Sequence, residues 1–554
     1  MAGKNTANKE LVNSAGAMGV GVLLSRITGL LREQVFAYFF GAGSATDAFQ
    51  IAFRIPNLLR DLFAEGAMST SLVATFIKAK QQKGEREAWR LSGLVFRILF
   101  FGTVILSVIG LFLAPYLVEA FASSYHEVPG KFELTVQLTQ VLYWFFPFVA
   151  LAAAFMGILN ACGVYFLPAF ASALFNITSV VSGVIFVLIL PRWGVHPIMG
   201  MAMGVVLGGV VQALCQVGAI KKQGYYFPKK IETDPVWFKN KSLHEMLWLM
   251  IPSTIGLAAL QVNILVNSVL ATGLGDGAVS WIQYSFRLVQ FPAGIFGVSL
   301  AVASMTQFSR KWSGGHFQEA SEDLKGAIRQ VIAINVPASV MMFVLGKPII
   351  QLLFEYGRFN SEDTHMTALA FSISVLGLLS FSLIKILVRP FYVMQDTRIP
   401  VISSLLGVAV NVIINFTLVK KVGFVGLPIG TVLSTIINAG YLVWAYKKKV
   451  KTYSVLFDLS RIVRFFFLIL FVSVVMGGVC YIVFYKIIIN WSWIEFASLN
   501  LGIFGIVLER GLHLTISFAV GTSVLVFLSN LFKIEEVILP INTVIGKLKR
   551  TVIK

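Results

Sequence analysis

SAGAMGVGVLLSRITGLLREQVFAYFF, residues 14–40, is an apolar run that carries two arginines and a glutamate. About 20 mostly apolar residues cross a bilayer as a helix, so this run predicts a membrane span. Arg26 then sits roughly fifteen residues, or about 22 Å, inside its helix at about 1.5 Å per residue. That is too deep for the side chain simply to snorkel to the headgroups. Arg26 and Arg32 are about 120° apart around the helix, with Gly29 midway between them. The next run repeats the spacing with Arg54, Asn57 and Arg60. Arg54, Asn57, Asp61 and Glu65 form a stripe on one helical face, and Pro56 is expected to bend that helix.

Each arginine at a span's centre costs about 2.5–3.5 kcal/mol on insertion scales. Several together cannot face lipid; they must face water, acidic partners or an anionic ligand. Two readings follow. The arginines pair internally with Glu33, Asp47, Asp61 and Glu65, or they hold an anion in a positive cavity. Arginine suits the second role because its planar fork meets a phosphate or carboxylate with two parallel hydrogen bonds.

The rest of the chain agrees with a lipid solvent. Its 554 residues are 57% hydrophobic and 13% charged, with mean hydropathy +0.81; soluble domains are about 25% charged. The polar first ten residues, with no cleavage-like site after them, predict that the first span is retained. Cys162, Cys215 and Cys480 lie in apolar runs without paired spacing, which reads as buried thiols. A net charge of +19 would suggest nucleic acid on a soluble protein. Here it reads as basic loops beside anionic headgroups, with no nucleic-acid partner.

Fourteen runs read as spans: 14–40, 47–78, 90–119, 134–160, 163–190, 197–220, 245–272, 279–309, 324–346, 364–390, 399–419, 424–446, 460–486 and 510–533. Assigning alternate loops to the cytoplasm puts Lys78, Lys80, Lys83, Arg86, Arg90, Lys221, Lys222, Lys229, Lys230, Lys239 and Lys241 on one side. Arg310, Lys311, Lys325, Arg329, Lys447, Lys448, Lys449, Lys451, Lys547, Lys549 and Arg550 join them. The other side holds few cations: Lys131, Arg192, Lys347, Arg358, Lys420, Lys421 and Lys486. This asymmetry places both termini in the cytoplasm.

The chain also echoes itself. Gly41-Ala-Gly precedes Phe53-Arg54-Ile55, with Leu62-Phe63 after; Gly273-Leu-Gly precedes Phe286-Arg287-Leu288, with Ile295-Phe296 after. Two duplicated six-span halves are expected, as is usual in transporters. The resulting all-α polytopic fold divides into an N-lobe (1–225), a C-lobe (226–450) and two C-terminal spans (451–554).

Enzymatic motifs are missing: there is no Walker A loop, no HExxH pattern and no GxSxG elbow. ATP-driven transport by this chain, catalysis and a bound cofactor are not expected. Asn411, Asn415, Thr431 and Asn267 could offer oxygens to a monovalent cation such as sodium. Without a carboxylate, ordinary interhelical hydrogen bonding is the favoured reading. Lys385 and Arg389 precede Pro390-Phe-Tyr-Val-Met-Gln-Asp396-Thr-Arg398-Ile-Pro400, read as a cytoplasmic turn with basic anchors.

SRITGLLRE (25–33), GAGSATDAF (41–49), FRIPNLLRDLFAEGAMS (53–69), FRLVQFPAGIFGV (286–298), LLFEYGRF (352–359) and PFYVMQDTRIP (390–400) together resemble the MurJ/MviN family of lipid II flippases. The resemblance implies two six-helix lobes forming an alternating-access cavity, plus two C-terminal helices that serve as a groove for a polyprenyl tail. It implies transfer of an undecaprenyl-linked peptidoglycan precursor between leaflets of the bacterial cytoplasmic membrane. Membrane lipids and the cell-wall synthesis machinery are the other partners it brings into view. By motif, Arg26, Arg32, Arg60 and Arg287 are the cavity arginines, and Asp47 and Glu65 are structural or gating carboxylates. Relatives carry acidic residues where this chain has Phe286 and Gln290, and some place sodium-site aspartates where it has Asn267 and Asn415. Weak or absent sodium binding, with coupling to membrane potential, is therefore expected. The rival readings are an exporter of a drug or another lipid-linked oligosaccharide, and a non-transporting scaffold.

Overall fold

The computed structural model describes residues 2–61, 69–225, 241–294, 298–488 and 502–538. Leu62, Phe63, Glu65, Ile295, Phe296, Lys229, Lys230, Lys239, Lys547, Lys549 and Arg550 lie outside the described residues. Among the described residues all regular structure is helical. The chain separates into two compact units, Met1–Ser280 and Trp281–Lys554.

The first unit holds α1 (Ala2–Phe40), α2 (Ser44–Arg60), α3 (Ser69–Lys83), α4 (Glu85–Ala122), α5 (Lys131–Tyr143), α6 (Phe145–Ala161), α7 (Phe166–Ile189), α8 (Ile198–Lys222) and α9 (Lys241–Thr272). α10 (Ala278–Pro292) begins in it and runs into the second unit. There follow α11 (Val298–Ser313), α12 (Phe317–Val344), α13 (Gly346–Phe354), α14 (Ser361–Val375), α15 (Leu378–Val393), α16 (Arg398–Val422), α17 (Gly426–Lys451), α18 (Ser460–Ile482) and α19 (Ile503–Leu531).

Eight helical segments among the described residues are long and apolar enough to cross a bilayer, nine if α14 and α15, bent by 41°, form one span. One of the eight, Arg398–Lys451, is a hairpin of α16 and α17. Asn411 meets Thr431 and Ser403 meets Asn438, so residues further back on α16 pair with residues further on along α17. The two helices are therefore antiparallel.

Apolar side chains face outward as well as inward. On α4, Phe101, Ile105, Phe112 and Tyr116 are all more than half exposed at spacings that keep them on one helical side. A water-solvated helix would hide that stripe; a lipid-solvated one presents it. Inside the first unit, Phe36, Phe49, Phe145, Val149 and Met201 pack into one core, and Leu72, Phe76, Trp89, Phe96 and Phe155 into another. The second unit centres on Phe308, Ile328, Phe391, Tyr446 and Phe465.

Between helices in lipid there is little hydrophobic driving force, so close backbone approach matters more. The α7–α8 pair shows this. Gly200, Gly204 and Gly208 recur every four residues on α8, facing Ser179 and Gly183 on α7. A Cβ at Gly204 would stand 2.5 Å from the Ser179 carbonyl oxygen, and one at Gly200 would stand 2.6 Å from the Val187 nitrogen. Overpacking a fitted interior costs about 1–3 kcal/mol. Gly204→Leu should therefore lower the thermal midpoint of the detergent-purified protein by several degrees. Gly19→Leu, at a position with open space around it, should not.

Candidate functional site

α1 and α2 carry the arginines. Arg32 is 8% exposed and Glu33 5%; Arg32 Nη2 donates to Glu33 Oε1 at 3.0 Å. The same guanidinium lies 5.7 Å from the centroid of the Phe175 ring on α7, within cation–π range. α7 also fixes the turn beside Arg26: Asn176 Nδ2 donates to the Ser25 carbonyl at 3.1 Å and reaches Thr28 Oγ1 at 3.3 Å. Gly29 lies against the same side chain: a Cβ there would meet Asn176 Nδ2 at 3.5 Å, an ordinary contact distance.

At the end of α2, Arg60 donates to Asp61 Oδ1 from Nη2 at 2.8 Å and from Nε at 3.1 Å. Asp61 Oδ2 accepts from Gln261 of α9 at 3.1 Å and from Asn57 at 3.5 Å. The Asn57–Asp61 stripe thus meets α9 rather than lipid. Internal pairing accounts for part of the arginine charge, through Glu33 and Asp61. Arg26, Arg54, Arg287 and Gln290 also make contacts within the fold; Gln290 is exposed and the three arginines are partly buried.

Asp47 departs from the pairing expected for it. Its carboxylate is fully buried and meets a lysine, not an arginine: Lys131 Nζ stands 3.3 Å from Oδ2. The Gly277 N–H donates to Oδ2 at 2.7 Å, and the Ser280 N–H and Oγ donate to Oδ1 at 2.9 and 2.6 Å. Asp47 therefore caps the N-terminus of α10 from another helix, where unpaired N–H groups and the helix dipole favour negative charge. Gly277 has φ +91°, a conformation natural to glycine. Lys131 also bonds Asp276 at 2.6 Å and lies 4.1 Å from the Tyr125 ring centroid. Asp47 and Ser280 stand seven residues before Arg54 and Arg287 respectively.

Asn411 and Asn415 are fully buried. Asn415 Nδ2 donates to Asn411 Oδ1 at 3.0 Å, and Asn411 Nδ2 reaches Thr431 Oγ1 at 3.4 Å. Asn411 thus bonds both Asn415 and Thr431. Asn267, in the first unit, is partly buried and bonded within the fold. Among the described residues no three His, Cys, Asp or Glu side chains gather to hold a metal ion. In the 390–400 turn, Lys449 donates to Asp396 at 2.7 Å and holds that carboxyl below its usual range.

Three partners escape sequence reading. Lys131 appeared only as a stray cation on the cation-poor side, and Gln261 gave no signal. Arg510 of α19 donates to the Gln351 carbonyl at 2.8 Å and to Glu355 Oε1 at 2.9 Å. It ties the C-terminal helices to the end of α13, inside the LLFEYGRF stretch.

Arginines held inside a bundle with many apolar spans among the described residues mark a membrane transporter. The family described as lipid II flippase MurJ matches residues 36–502. A probable lipid II flippase MurJ of Buchnera aphidicola is 33% identical, covering 79% of this chain and 84% of its own. The lipid II flippase MurJ of Burkholderia cenocepacia is also 33% identical, covering 77% and 82%. This protein belongs to the MurJ lipid II flippase family. A solved lipid II flippase MurJ in an inward closed conformation shares the fold, with TM-score 0.74, 23% identity and coverage of 93% and 98%. An inward-facing multidrug MATE transporter of the MOP superfamily follows at 0.64, 15% identity, 78% and 95%.

Removing one partner of a buried ion pair costs about 3–5 kcal/mol, because the other charge is stranded. Lys131→Met should thus lower the melting midpoint well beyond Lys80→Met, which breaks the exposed pair with Glu85. Lys131→Met combined with Asp47→Asn should recover part of the loss. Equal effects of the two lysine changes would remove Lys131 from this role.

Proposed function

We propose that this protein moves lipid II, the lipid-linked peptidoglycan precursor, from the inner to the outer leaflet of the bacterial cytoplasmic membrane. Membership of the MurJ family across residues 36–502 carries the reading. The arginines supply its chemistry: Arg26, Arg32, Arg60 and Arg287 engage the diphosphate through charge-assisted hydrogen bonds. The bilayer holds the polyprenyl tail beside α18 and α19, whose Phe467, Phe471 and Phe527 are more than half exposed. Asp47 and Glu65 serve as gating carboxylates, with Gly29, Arg54, Asn57, Asp61 and Gln290 supporting the arginines.

Transport is alternating access across fourteen spans, arranged as lobes 1–225 and 226–450 with a C-terminal pair in 451–554 and both termini cytoplasmic. The substrate must bind the two states differently, since equal affinity shifts no equilibrium. MATE transporters share the fold, but a guanidinium-rich site repels cationic drugs.

Arg32→Ala and Arg26→Ala should each abolish lipid II transport while the protein stays in the membrane. Arg32→Lys should retain only part of the activity, because lysine keeps the charge and loses the fork. Full activity of both alanine variants would contradict the arginine assignment. Transport in reconstituted vesicles should also persist when sodium is replaced by choline, and strict sodium dependence would contradict the reading of Asn411, Asn415, Thr431 and Asn267 as structural.

A further inference from the structure

α7 meets the arginine-bearing stretch of α1 with two adjacent side chains. Asn176, 7% exposed, donates from Nδ2 to the Ser25 carbonyl at 3.1 Å and to Thr28 Oγ1 at 3.3 Å. Thr28 Oγ1 in turn donates to the Leu24 carbonyl at 2.9 Å. Leu24, Ser25 and Thr28 all lie within one helical turn of Arg26. Phe175 faces Arg32, six residues further on, with its ring centroid 5.7 Å from the guanidinium carbon. Phe175 is itself seated from two sides. Its ring centroid is 5.6 Å from that of Phe145 on α6, and a Cβ at Gly208 of α8 would stand 2.9 Å from its Cδ2.

Ordinary interhelical adhesion explains this pair less well. Small residues already bring α1 and α7 together: a Cβ at Gly21 would stand 2.7 Å from the Ala169 Cβ, and such interfaces hold by close packing. Adhesion gives no reason for an aromatic face, rather than an aliphatic side chain, against Arg32. Both contacts fall instead on the turns that carry the cavity arginines. An arginine that samples several rotamers loses that freedom when it grips an anion, which weakens binding. A guanidinium whose plane is set beforehand by a ring face and a carboxylate keeps its fork ready for two parallel hydrogen bonds.

We infer that Asn176 and Phe175 are positioning residues for the substrate-binding arginines. Asn176 fixes the turn of α1 that carries Arg26, and Phe175, with Glu33, fixes the plane of the Arg32 guanidinium. Both act through the arginines and need not touch the substrate. The inference rests on the function proposed above, in which these arginines engage the diphosphate, and extends it to the helix that holds them.

The test measures lipid II transport by the full chain in vesicles holding graded fractions of lipid II. Asn176→Ala and Phe175→Leu should each raise the half-saturating fraction about threefold to tenfold, the size of one net hydrogen bond or cation–π contact. Their maximal rates should change by less than about twofold, because binding and not the turnover step is affected. Phe175→Tyr, which keeps the ring face, should recover most of what Phe175→Leu loses. Gln216 on α8 supplies the control: it is 1% exposed and donates to the Ala152 and Gln212 carbonyls. Gln216→Ala should lower the thermal midpoint comparably to Asn176→Ala without shifting half-saturation. In lipid II titrations followed by native mass spectrometry, Arg26→Ala with Asn176→Ala should bind like Arg26→Ala alone, since Asn176 acts through Arg26. Unchanged half-saturation in both α7 variants overturns the inference. So does an equal shift in Gln216→Ala, or a fully additive loss in the double variant. In those cases, weak binding by Arg26→Ala and Arg32→Ala leaves the flippase reading standing. Native-like binding by those two alanine variants would instead remove the arginine assignment, and the positioning role with it.

Discussion

A guanidinium cannot stay charged and unsatisfied in hydrocarbon, and much of the first unit is arranged around that constraint. Arg32 is held by its neighbour Glu33 and lies over Phe175, so its charge is met on one side by a carboxylate and on another by a ring face. Arg60 is held by Asp61, which is in turn held by Gln261 and Asn57. These contacts orient the side chains. Asp47 is engaged elsewhere, with Lys131 and the start of α10. On the function proposed above, the positive charge so oriented meets the lipid-linked diphosphate.

The second constraint concerns the start of α10. The first N–H groups of a helix have no intrahelical partner, and in a bundle immersed in lipid they need one from the protein. Asp47 satisfies Gly277 and Ser280 from α2, and Lys131 offsets the charge that Asp47 brings into the interior.

Much of this was legible in the sequence. Helices α4 to α8, α12 and α14 to α19 follow apolar runs that length and hydropathy expose. Arg26, Arg32 and Arg60 stood out because charge in such runs is costly. Partner choice was harder to see. Asp47 is near the arginines in sequence, yet its ligands come from residues 131, 277 and 280, and no spacing rule encodes a contact across 84 or 233 positions. Lys131, Gln261 and Arg510 were missed for the same reason. The asparagines on α16 show the reverse. Their four-residue spacing fits either a cation site or a hydrogen-bonded pair, and in the fold Asn415 bonds Asn411.

The central claim is that the buried arginines serve translocation of a lipid-linked diphosphate. Its most direct test is to deplete the protein in living cells and measure lipid II in each leaflet, using a reagent or hydrolase that reaches only the outer face. Lipid II should accumulate, and the fraction accessible from outside should fall towards zero. An unchanged outer-leaflet fraction on full depletion, with no second flippase active in the cell, would contradict the claim.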